Sequence, residues 1–138
     1  MRHFYYLCFL LLGFLSLPVR AGGDNRAPEQ YTKEYIMKDY MKDPVRTLQL
    51  LDKAEVNSAM PLNIVDELRS AVYRNMYRNK SALHYARRAY VSDSLSHDNP
   101  SHLLRMTVSM AELFSLLSEY KESMRYAVQG VELARELK

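Results

Sequence analysis

From residue 30 onwards the apolar residues recur at three- and four-residue intervals, and no stretch alternates with period two. A chain patterned this way has no strand to contribute to a sheet. It must bury its apolar stripes by packing helix against helix. Two dipeptides punctuate the pattern. Asp43-Pro44 and Asn99-Pro100 each supply a side-chain acceptor at a helix N-cap and a proline at the first helical position, where an N–H has no intrahelical partner anyway. The spacing predicts six helices. The first covers residues 30–41. The second starts at Pro44 and is striped by Val45, Leu48, Leu51 and Ala54, with a loop over 57–61 after it. The third covers 63–77, striped by Ile64, Leu68, Ala71 or Val72, and Met76. A tight turn at Asn79-Lys80-Ser81 leads to the fourth, which runs to Ser92 with Ala82, Tyr85, Ala86, Ala89 and Tyr90 on one face. A polar loop over 92–99 precedes the fifth, which reaches Ser118 through Leu103, Thr107, Met110, Phe114 and Leu117. The sixth covers 121–138.

The first 21 residues follow different rules. Arg2 is followed by the apolar run Leu7–Leu17, then Pro18, then Val19-Arg20-Ala21. A charged start, an apolar stretch of this length and small residues before a cut are the parts of a secretory signal, and the run is too short to span a bilayer comfortably. Cleavage after Ala21 leaves a flexible linker at 22–29 and a helical domain at 30–138. Cys8 lies inside the apolar run, so the mature chain has no cysteine and no disulfide or thiolate chemistry. An exported domain without disulfides points to a bacterial periplasm. The full chain has 19 Lys+Arg against 16 Asp+Glu, and Arg2 and Arg20 leave with the signal. The remaining net charge is +1, with no basic patch to attract nucleic acid.

Short and longer connections alternate, so the helices pair into three hairpins at about 30–57, 61–92 and 100–138. A repeat relates the last two. Tyr73, Ala82, Ala86 and Ala89 recur 41 residues on as Phe114, Ser123, Ala127 and Gly130, and Tyr85-Ala86 recurs as Tyr126-Ala127. The order is a small residue, an aromatic, a tight turn, then spaced small residues: Ser70, Tyr73, Ala82, Ala86, Ala89 in one hairpin and Ala111, Phe114, Tyr120, Ser123, Ala127, Gly130 in the next. It resembles the tetratricopeptide repeats. The resemblance covers about 30–138 and implies an all-α, short right-handed solenoid of about three antiparallel helix hairpins. It departs from the family in its 41-residue interval, against a usual period of about 34, and in lacking the Trp/Leu/Gly signature that opens each repeat.

The resemblance also implies a concave groove built by the first helix of each hairpin. Groove positions transfer to Ile36, Asp39 and Tyr40, then Glu67, Ala71, Arg74 and Asn75, then Arg105, Val108, Glu112 and Ser115. Tyr40, Glu67, Arg74, Asn75, Arg105 and Glu112 are the candidate contacts for a protein or peptide partner. Of the positions with which some family members clamp a peptide carboxylate, only Arg105 is basic; Thr32, Ile36, Leu68 and Ser109 occupy the others. On the sixth helix, Met124, Ala127, Val128, Val131 and Ala134 form one stripe, while Tyr126, Leu133 and Leu137 lie about half a turn away. A solenoid end should be polar, so Leu133 and Leu137 are expected to be covered by a further helix after Lys138, a partner or a second copy of the chain.

No constellation asks for chemistry. Asp93, His97, Asp98 and His102 fall around one loop but match no ordered ligand motif, and a polar loop with a helix cap explains them equally. Asp66/Glu67 and Glu119/Glu122 read as solvated helix-surface charges rather than an acid/base pair. Nine tyrosines follow residue 21, and Tyr73, Tyr85, Tyr90, Tyr120 and Tyr126 read as packing residues. The expectation is a non-enzymatic exported binding or scaffolding module with no cofactor, metal, nucleic acid or membrane span. A signal peptide before degenerate helical repeats also resembles the exported sensor portion of membrane-bound signalling regulators of Bacteroidetes type. A small periplasmic enzyme or metal carrier is the remaining alternative.

Overall fold

The computed structural model describes residues 31–138, so the signal and linker assignments lie outside the described residues. Among those described, all regular structure is helical. The elements are α1 (Lys33–Met37), α2 (Pro44–Val56), α3 (Leu62–Asn75), α4 (Asn79–Ser96), α5 (Pro100–Leu116) and α6 (Tyr120–Glu136). Each helix packs on its neighbours in chain order.

The helix starts form as their local chemistry dictates. Asp43 Oδ1 accepts from the Arg46 N–H at 3.0 Å, and Asn99 Oδ1 accepts from the His102 N–H at 2.9 Å. The helix ends are less conventional. Ser58, Tyr77, His97 and Ser118 all have positive φ, near 50–60°, and none is glycine. After three of them a backbone N–H reaches back five residues: Ala59 to the carbonyl of Ala54, Arg78 to Tyr73, and Glu119 to Phe114. This is the bond that closes a Schellman turn and satisfies a carbonyl the helix end leaves free. The Tyr77 and Ser118 turns are 41 residues apart, as the repeat requires.

Several boundaries differ from the sequence expectation. α1 is shorter, and residues 38–42 are turns. The tight turn lies at 76–78, and Asn79 is already helical. α4 continues four residues beyond Ser92, because Asp93 in its last turn is buried against α5. On α2 the buried face is Thr47, Leu50, Leu51 and Ala54, while Val45 is exposed.

Two apolar clusters hold the stack. One gathers Ile36, Leu50, Leu51, Ala54, Val65, Leu68 and Val72 from α1, α2 and α3. The other gathers Ala82 and Ala86 from α4, Met110, Ala111, Leu113 and Phe114 from α5, and Tyr126 from α6. Full burial of each large side chain contributes about 1.5–3 kcal/mol. The repeat is visible in the rings. Tyr73 stacks on Tyr85 with centroids 5.5 Å apart, and their equivalents Phe114 and Tyr126 also stack at 5.5 Å. Tyr120 does not join them. It is exposed, because it begins α6 at the outer edge of the turn.

Asp66 also departs from expectation: it is buried, not solvated. Its Oδ2 lies 3.1 Å from Arg88 Nε of α4, and its Oδ1, 3.5 Å from Arg69, has no hydrogen-bond partner. Arg69 is itself buried and turns to Asp52 and Glu55 on α2. Burial raises the Asp66 carboxyl above the usual carboxylate range, against the opposing pull of Arg88 and Arg69. A carboxyl with a raised folded pKa holds its proton more tightly folded than unfolded. Its contribution to stability therefore falls as pH rises from its unfolded value through its folded one. Urea midpoints measured from pH 4 to 7 should show Asp66→Asn gaining on the parent chain as pH rises. A parent that gains on the variant instead would mean that Arg88 and Arg69 outweigh burial.

Gly130, in mid-helix, stands at the repeat position of Ala89. A Cβ there would meet Thr107 and Val108 methyls at 3.7 Å, an ordinary contact. Gly130→Ala should therefore stabilise the chain by about 1 kcal/mol, the helix propensity difference, in thermal or urea unfolding. A loss would show that the close approach of α5 needs glycine.

Candidate functional site

The largest concentration of chemistry lies between α3 and α5, the first helices of successive pairs. A cleft of about 360 Å³ runs between them, lined by Glu67, Ala71 and Arg74 from α3 and by Leu104, Arg105, Val108 and Glu112 from α5. Residues 67, 71 and 74 follow one face of a helix, as do 105, 108 and 112. Helical spacing thus aims both sets into the same space. Four of the six candidate contacts named from the sequence meet here.

The charges cross the cleft in pairs. Arg74 Nη1 lies 2.6 Å from Glu112 Oε2. Arg105 Nη2 lies 3.3 Å from Glu67 Oε1, and Lys33 of α1 approaches Glu67 Oε2 at 3.8 Å. Arg74 and Glu112 are both exposed, so their pair contributes little to stability, about 0–1 kcal/mol, while Arg105 reaches from solvent to a half-buried Glu67. Between the pairs the floor is apolar: Ala71, Leu104 and Val108.

The remaining transferred positions behave differently. Ile36 is 1% exposed and belongs to the first core cluster. Tyr40 packs half-buried against that cluster. Asp39 lines a separate cleft with Tyr35, Arg46 and Thr47. Asn75 ends α3, and Ser115 shares a shallow pocket with Arg74 and Glu112. On α6 the inward face carries Tyr126 and Gly130, both buried, and Leu133 falls half-buried on the same face. Leu133 is thus not the open position expected of it. Leu137, at the C-cap, is exposed.

One arrangement was only partly signalled in the sequence, which groups Asp93 with His102 but not with Glu67. His102 is 0% exposed and sits in the first turn of α5. Its Nδ1 meets Asp93 Oδ2, and its Nε2 lies 3.2 Å from Glu67 Oε2. Asn63 Nδ2 donates to the other Asp93 oxygen at 2.7 Å. A continuous polar chain therefore runs from α4 through α5 to the cleft carboxylate. Asp93 and His102 are nine residues apart, on two different helices rather than in one loop. Glu67 is 35 residues from His102, and only the stacking of α3 on α5 joins them. Both ring nitrogens face carboxylates and the ring is shut from solvent, so the imidazole bridges Asp93 and Glu67 inside the stack. Among the described residues no cluster of three or more His, Cys, Asp or Glu is arranged to hold a metal ion. No helix among them is long and apolar enough to cross a membrane.

Comparison with protein-family models, with characterised proteins and with solved structures finds no match to this chain.

Removing one partner from a buried hydrogen-bonded pair strands the other. His102→Leu should cost about 1–3 kcal/mol in urea unfolding, and Asp93→Leu added to it should recover part of that loss. Strictly additive losses would mean that the two side chains do not support each other.

Proposed function

We propose that this chain is a non-enzymatic helical-repeat module that binds a protein or peptide segment in the α3/α5 cleft. The observation that carries the reading is the convergence of Glu67, Arg74, Arg105 and Glu112, from equivalent helices of two successive pairs, around one apolar floor. An apolar side chain of the partner fills the space over Ala71, Leu104 and Val108. Arg74, Arg105 and Glu112, all exposed, exchange their cross-cleft contacts for groups on the bound segment. The Asp93–His102 pair holds Glu67 in place at the cleft edge. Mixed charge suits a peptide better than a polyanion, which would need a continuous basic surface.

In this reading the stack is a short tetratricopeptide-like solenoid, exported to a bacterial periplasm after cleavage near Ala21. The repeated turns at Tyr77 and Ser118 and the repeated ring pairs support it. Tyr40 and Asn75 are ancillary to the cleft, and Leu137 belongs to the open end of the stack. The second reading, the outer portion of a larger membrane-bound signalling regulator, is favoured by one observation: α6 keeps an uncovered apolar face. An immunoblot of fractionated native cells separates the two. A soluble band at the size of residues 22–138 supports the self-contained module, and a much larger membrane-bound band supports the regulator.

The cleft is tested with peptides selected from a displayed random library against the purified chain. Arg74→Glu with Arg105→Glu should weaken their binding about tenfold or more, a loss of about 1.4 kcal/mol, with helicity unchanged by circular dichroism. Unchanged binding would remove the cleft as the site. Lost helicity would make the two arginines structural.

A further inference from the structure

The outer face of α6 is apolar and open. Met124 is 66% exposed, Val128 51% and Val131 53%, and Ala127 between them is exposed as well. The repeat identifies what this face is. Counting back 41 residues, Met124, Ala127, Val128 and Val131 correspond to Leu83, Ala86, Arg87 and Tyr90 on α4.

On α4 those four positions are the seat of the following pair. Leu83 and Tyr90 pack against the cluster of Met110, Leu113, Phe114 and Tyr126, and Ala86 is 0% exposed. Arg87 lies over the Phe114 ring at 6.0 Å. Tyr90 meets Tyr126 edge-on at 5.4 Å, and its hydroxyl accepts from Gln129 Nε2 at 2.7 Å. The same surface, one repeat later, is left open by the described residues.

The substitutions between the two surfaces run the wrong way for an end of the stack. A terminal repeat needs a polar outer face. Here Arg87, itself exposed at the rim of the covered seat, gives way to Val128, so the open face is the more apolar. We infer that the α6 stripe Met124–Ala127–Val128–Val131 is the docking seat for a further α-helical hairpin built like α5–α6. Its leading helix would lay an apolar triad ending in an aromatic, as in Met110, Leu113 and Phe114, over the stripe.

A second copy packed α6 against α6 is the poorer occupant. Seventeen residues of helix make a strip of about 25 Å by about 10 Å. That is a footprint of roughly 250 Å², against about 800 Å² per partner in a standard stable interface. A hairpin reaches further, because its second helix adds contacts, as Tyr126 and Gln129 of α6 do with Tyr90. The occupant continues an interface that the chain already uses between α4 and α5–α6.

The inference rests on the stacked-repeat reading and not on the cleft. Its test is a chain in which residues 98–138 are duplicated directly after Lys138, which preserves the 41-residue register. In a Cys8→Ser background, Val128→Cys reports whether the stripe is covered. The added hairpin should fold, raising helicity in proportion to its length. Thiol labelling of Val128→Cys should slow about tenfold relative to the unextended chain. Val128→Glu with Val131→Glu in the extended chain should leave the added hairpin protease-sensitive, while the original helicity remains. An added hairpin that stays protease-sensitive without those changes, with Val128→Cys labelling at its original rate, would overturn the inference. So would an unextended chain that sediments as a dimer which Val128→Glu dissolves, since the stripe would then belong to a second copy. Peptide binding at the cleft enters neither readout, so failure of the cleft and failure of this seat are distinguishable.

Discussion

The stack depends on how closely its helices approach. Ala82, Ala86 and Ala89 are spaced along one broad face of α4, and all three are fully buried. A methyl group at each point lets α4 lie near its neighbours on both sides, while the rings of Tyr73, Phe114 and Tyr126 fill the space beyond. Larger side chains there would force the helices apart and open voids around the rings, since interiors pack near crystal density and tolerate neither excess volume nor gaps. The cleft is a consequence of this spacing. α3 and α5 face each other at the distance that brings Arg74 to Glu112 and Arg105 to Glu67.

Polar groups settle the register that apolar packing leaves loose. Asp93 and His102 meet inside the stack, and Asn63 ties Asp93 to α3. Sliding α5 by one turn along α4 would strand an ionisable pair in a dry interior, which is far costlier than mispairing two alanines. The Asp66–Arg88 and Arg69–Asp52 contacts play a similar part nearer the first pair, at the cost of one carboxylate oxygen without a partner. These polar contacts therefore join helices to one another and specify how they align.

Much of the architecture was legible because helix signals are local. Period, N-caps and the two Asp/Asn-Pro starts lie within a few residues of one another, and each formed as its side-chain chemistry required. Helix ends were harder to place. The residues with positive φ are Ser58, Tyr77, His97 and Ser118, so the glycine that commonly marks a helix stop is missing at every one. The polar run Ser92–Ser96 resembles a loop and is helix, because Asp93 finds its partner on another element. Glu67, Arg74, Arg105 and Glu112 were named together through the resemblance to tetratricopeptide repeats, and the structure brings these four to one cleft. Ile36 carried the same repeat position and went to the core, where it packs with Leu50, Leu51 and Val65.

The sequence by itself determined that the described chain is helical, that two of its helices begin at Pro44 and Pro100, and that residues 41 apart occupy equivalent places. Those properties come from backbone hydrogen bonding and side-chain period, which act over one or two turns. Only the tertiary structure decided that Asp66 and Asp93 are buried, that His102 links Asp93 to the cleft carboxylate, and which stripe of α6 is open. The physical reason is that burial belongs to pairs of elements. Ala86 and Ala127 are the same residue at the same repeat position, one sealed and the other exposed, and the difference lies wholly in what has packed against them.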